Sequence, residues 1–103
     1  MVTVILEIEE NLTMDRDGFR RFLEGVILES GVKYTENGIK ARVSKASAVE
    51  NKLNVDLDII VQSIEETRKI RDLIYENFPS KPGNYYNAVT RYFWFRNGFQ
   101  FEE

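Results

Sequence analysis

The chain has no cysteine and no histidine. Without thiols there can be no disulfides, thiolate nucleophiles, cysteine-ligated zinc or iron–sulfur clusters. Without imidazole it lacks the side chain behind most acid–base chemistry near neutral pH and most transition-metal sites. Catalysis would fall to carboxylates, Lys, Arg, Tyr, Ser or Thr. Ser44, Ser47 and Ser63 could be activated only by a desolvated Lys40 or Lys45, for which the pattern gives no argument. No enzymatic activity and no cofactor are expected.

Long apolar runs are missing too. Stretches such as "VIL" (4–6) and "IIV" (59–61) fall far short of a bilayer span. The opening "MVTVILEIEE" has no basic start and turns acidic where a cleavage site would lie, so no secretory signal is expected and the setting reads as cytoplasmic. In that setting "NLT" (11–13) is a chance match to a glycosylation sequon. Positive charge is in short supply: 14 Lys and Arg against 17 Asp and Glu, net −3. That balance argues against binding duplex DNA or RNA, which depends on clustered cations.

What is present is the make-up of one folded domain: 103 residues, 43% hydrophobic and 30% charged. "VTVILEIE" (2–9) alternates, with Val2, Val4, Leu6 and Ile8 on one side, and predicts a half-buried strand. Over 13–31, Phe19, Phe22, Leu23, Val26 and Ile27 recur at helical spacing, with Thr13 or Asp15 as cap and Gly31 as terminator. Asn37-Gly38, between extended runs, reads as a hairpin turn. "LNVDLDIIVQ" (53–62) alternates, Leu53, Val55, Leu57, Ile59 and Val61 facing inward. Ser63 and Glu66 form a capping box opening a second helix over 63–79, with Ile70, Leu73, Ile74 and Phe78 as its apolar stripe and Pro79 as its stop. Strands at about 2–9, 39–49, 53–62 and 86–96 then give the order β-α-β-β-α-β. The expected fold is a ferredoxin-like α+β sandwich: an antiparallel sheet with two helices on one face, an added β arm at 32–36 and a C-terminal hairpin at Asn97-Gly98.

Residues 16–78 taken alone follow the α-β-β-β-α order of a double-stranded-RNA-binding domain. That family grips phosphates with a lysine cluster at its second helix, where this chain has the acidic "SIEETRK". The element order resembles the family and the chemistry does not. RNA-recognition motifs stack bases on aromatic residues of their first and third strands. Here those strands have no aromatic residue.

The densest feature is "TRYFWFRNGFQFEE" (90–103). Read as a strand it has rings on both faces, and helices can cover only one. The other cover is either the tail, through Phe99 and Phe101, or a partner. As an interface it would present Ile5, Ile60, Tyr86, Tyr92, Trp94, Arg96, Phe99 and Phe101, residue types suited to protein contacts. The leading expectation is a small non-enzymatic module that binds another protein or forms a homodimer through this strand and the open sheet face. A second reading is a single-stranded nucleic-acid binder, with Arg91 and Arg96 interleaved among the rings of Tyr92 and Trp94. A third is a carboxylate-dependent metal enzyme such as a nuclease. In it Glu7, Glu9, Asp56 and Asp58 would hold Mg²⁺ or Ca²⁺, although a solvated acidic ladder explains them as well.

Overall fold

In the computed structural model, which describes residues 14–101, five helices follow one another: α1 (Arg16–Gly25), α2 (Glu36–Leu53), α3 (Leu57–Ile60), α4 (Ile64–Asn77) and α5 (Pro82–Asn97). Among these residues there is no sheet. The extended backbone pairs at one isolated antiparallel bridge, between Ile27 and Lys33. The ferredoxin-like α+β sandwich is therefore overturned. The expected strand at 2–9 lies outside the described residues.

Each misread segment has a physical reason. Asn37-Gly38 sits in the first turn of α2, where Thr35 caps the helix and its hydroxyl accepts the Gly38 N–H at 3.0 Å. Ile39, Ala46, Val49 and Glu50 then fall on one buried stripe at helical spacing. The 53–62 alternation is broken by capping. Asn54 ends α2 in the left-handed conformation, and the Asp56 side chain accepts the Asp58 N–H to start the single turn of α3. Leu57 and Val61, one helical turn apart, are buried, whereas Ile59 is left 62% exposed. The aromatic segment is α5. Pro82 occupies its first turn, and Tyr86, Val89, Tyr92 and Phe93 repeat every three or four residues toward the core. The second Asn-Gly pair is a helix stop, with Gly98 at φ +84° and its N–H returning to the Trp94 carbonyl. The arm at 32–36 reduces to a tight loop, closed by the Leu28 N–H to the Val32 carbonyl, with Gly31 at φ +87°.

Two helices fall where expected, the one opened by Ser63 closely and α1 only over its first part, with Ile27 beyond its end and 63% exposed. α1 starts at the Asp15 cap, which accepts the Gly18 N–H, and buries Phe19 and Leu23; it stops at Gly25, six residues before the expected Gly31. α4 starts at Ser63, whose hydroxyl accepts the Glu66 N–H, and buries Thr67, Ile70 and Ile74, while Leu73 stays exposed.

α2 and α5 pack antiparallel and form the axis of the molecule. α1 lies against both, α4 packs on both, and α3 sits by α5. The core is one cluster that includes Phe19, Leu23, Val49, Leu57, Val61, Ile74, Val89, Tyr92 and Phe93. Ala46 and Ala88 are fully buried, and their small side chains suit close approach of the two axial helices.

Candidate functional site

The aromatic residues singled out in the sequence do not form one outer face. Tyr86 and Tyr92 are buried, and Ile60 is half-buried against the core. Trp94 packs edge-on against Phe22 of α1 with ring centroids 5.2 Å apart. Phe101 covers Phe93 at 4.7 Å, and Phe99, although 50% exposed, approaches the same ring at 5.4 Å. The second cover of these rings is thus the chain's own α1 and tail. Ile5, Glu7 and Glu9 lie outside the described residues.

Tyr92, Asp58 and Arg96 do meet, in a structural junction. The Tyr92 hydroxyl donates to Asp58 Oδ1 at 2.5 Å and accepts the Asp15 N–H at 2.9 Å; Arg96 Nε lies 3.2 Å from the same carboxylate oxygen. Burial, and then the bond to Asp58, pushes the Tyr92 phenol far above its usual range, so it remains a protonated donor. The junction ties the start of α1 and the turn of α3 to α5. Asn97 adds to it by donating to the carbonyls of Val61 and Phe93. Asp56 caps α3 and Asp58 is bonded to Tyr92 and Arg96. Of the four carboxylates considered as metal ligands, Asp56 and Asp58 are thus engaged by the helix ends and by Tyr92 and Arg96.

A concavity of about 530 Å³ lies between α1 and α2 and is lined by Arg16, Arg20, Lys40, Ser44, Ser47 and Asn51 among others. Its charge is largely balanced: Asp17 is in the wall, and Arg20 is held by Glu36 at 2.8 Å and Glu24 at 3.6 Å.

The α2–α5 seam is different. Arg42 lies over the Tyr34 ring at 4.4 Å, Lys45 over Tyr85 at 5.6 Å, Lys52 over Phe78 at 5.1 Å, and Arg91 beside Trp94 at 5.9 Å. Arg91 Nε also donates to the Tyr34 hydroxyl at 2.8 Å, which links the two halves of the row. Helical geometry produces this line. On α2 the cations recur at 42, 45 and 52; on α5, Asn84, Asn87, Arg91 and Trp94 recur every three or four residues. α5 contains no Asp or Glu. The two acids of α2 are engaged elsewhere, Glu36 with Arg20 and Glu50 with the Leu57 N–H.

The sequence reading found Arg91 and Trp94 but not Arg42, Lys45 or Lys52. Arg42 and Lys45 lie in the segment read as a strand (39–49) and Lys52 between that strand and the next, and a period of two does not bring 42, 45 and 52 to one face. A helical period does. The net charge misled as well: Glu7, Glu9, Glu10, Glu102 and Glu103 lie outside the described helices, whereas every Lys and Arg lies within residues 14–101. The helical body is itself net basic.

Neither a scan against protein-family models nor searches of curated proteins and of solved structures find a match to this chain.

Proposed function

We propose that this protein binds single-stranded nucleic acid along the α2–α5 seam. The observation that carries the reading is the row of Lys52, Lys45, Arg42 and Arg91, each set against an aromatic ring, on an axis whose acids are absent or turned away. Single strands are held by cations that track the backbone and by rings that accept bases. From Arg42 to Lys52 the α-helical rise gives about 15 Å, room for a short run of nucleotides. Tyr34, Tyr85 and Trp94 are half-buried, so part of each residue stays accessible.

The test is the anisotropy of a labelled single-stranded oligonucleotide titrated with the full chain at low salt, with the fluorescence of the single tryptophan as a second signal. Lys45→Glu and Lys52→Glu should each weaken binding by about tenfold, since each replaces an attraction to phosphate by a repulsion. Lys69→Glu on α4, paired with Glu66 away from the seam, should leave it unchanged. No binding by the wild type, or equal loss in all three variants, would remove the seam from consideration. Tighter binding to a duplex than to the strand would show that the substrate form is wrong.

A further inference from the structure

The groove of about 530 Å³ between α1 and α2 has its long wall on α2, where Lys40, Val43, Ser44, Ser47 and Asn51 recur at helical spacing over roughly 17 Å. Val43 and Ala48 are only half-buried in that wall, so it keeps apolar surface open. Arg16 and Lys40 stand exposed on the rim. They have no ion-pair or hydrogen-bond partner among the described residues, whereas Arg20 is already held by Glu24 and Glu36. Against them the wall sets only Asp17. Ser47, buried in the wall, donates its hydroxyl to the sulfur of buried Met14 at 3.7 Å, so the chain enters the described fold beside the groove.

We infer that this groove is the docking site of the chain's own residues 2–10. Their composition complements it: Val2, Val4, Leu6 and Ile8 are apolar, Glu7, Glu9 and Glu10 supply the charge that Arg16 and Lys40 lack, and no Lys or Arg is among them. Nine residues reach from about 14 Å if helical to about 30 Å if extended, which brackets the length of the α2 wall. Only residues 11–13 separate the segment from Met14. A tether this short gives an effective concentration on the order of millimolar, ahead of any free partner carrying the same groups. Ion pairs on an exposed rim add little energy and mainly select the occupant, and burial against Val43 and Ala48 supplies the rest. None of the seam cations lines this groove, so the docking is independent of the nucleic-acid reading.

The chain has no cysteine, so Ser44→Cys in the full chain reports on the groove through its rate of alkylation. Lys69→Cys on exposed α4 is the open reference, and each rate is taken relative to the same variant in urea. Ser44→Cys should react several times more slowly than Lys69→Cys, at a rate independent of protein concentration. Adding Glu7→Lys and Glu9→Lys should restore most of the speed, because attraction to the rim becomes repulsion. Leu6→Asp should do the same by setting a charge against the apolar wall, with unchanged circular dichroism verifying the helices in every variant. Equal rates for the two thiols would show an open groove. Protection that vanishes on dilution would show a second copy seated there, and protection that survives the double reversal would show another occupant. Each of these overturns the inference.

Discussion

Glu50 carries its carboxyl group into the core at 3% exposure, with Oε2 accepting the Leu57 N–H at 2.9 Å and Oε1 unpartnered among the described residues. Burial is the main cause that raises its pKa above the ordinary 4.5, with Asp56 and Asp58 pushing the same way and the Leu57 and Met14 N–H groups opposing. The sign follows from linkage. A folded-state pKa above the unfolded one means that the folded state holds the proton more tightly. The residue's contribution is therefore fully present below pH 4.5 and is lost as pH rises through the folded value. Glu50→Gln keeps the acceptor for Leu57 and removes the titration. Urea denaturation of both proteins across this range should show the variant gaining on the wild type as pH rises from 4.5 toward 7. A stability difference that does not change with pH would mean that the carboxyl group is not held in this environment.

At the scale of elements, strain is concentrated where α5 begins. Lys81 precedes the helix at φ 55°, ψ 53°, a left-handed conformation that glycine adopts freely and a β-carbon resists, and its side chain makes no capping bond. Lys81→Gly should stabilise the protein by up to about 1 kcal/mol, read as a rise of a few degrees in the thermal midpoint. A fall would show that the lysine serves the fold in some other way. The same junctions explain what the sequence could and could not reveal. α1 and α4 were legible because each has both a side-chain cap and a stripe at helical period, Asp15 with Phe19 and Leu23, Ser63 with Ile70 and Ile74. α2 and α5 were not, because Asn-Gly serves two geometries. The pair that turns a hairpin also fits the first turn of a Thr35-capped helix and the left-handed end of one at Gly98. The two axial helices also bury small or aromatic residues rather than a clean aliphatic stripe. Ala46 and Ala88 carry little apolar signal, and the rings of α5 point to the core on one side and to α1 and the tail on the other. Aromatic content therefore looked like β-propensity. Of the candidate site, Arg91 and Trp94 were visible; the α2 cations needed the helix before they formed a line.

Across the whole molecule, charge is divided between chain segments in a way the net value of −3 conceals. Five of the 17 acids and none of the 14 cations lie in the flanks, so residues 14–101 carry a small positive excess that the formal charge does not show. Lys52, Lys45, Arg42 and Arg91 are ordered along one seam. If each displaces a counterion from a bound single strand, the logarithm of affinity should fall against the logarithm of salt with a slope of about 3. Lys45→Ala should lower that slope by about 0.7, since one fewer phosphate is neutralised. Asn87→Ala should leave it unchanged, because that side chain is neutral. The two variants thus separate by their salt dependence even where their affinities at one salt concentration coincide. A slope near zero for the wild type would mean that the ordered cations serve the fold through their rings and hold no strand. A slope unmoved by Lys45→Ala would place the phosphates elsewhere, with the groove of Arg16 and Lys40 the next surface to test.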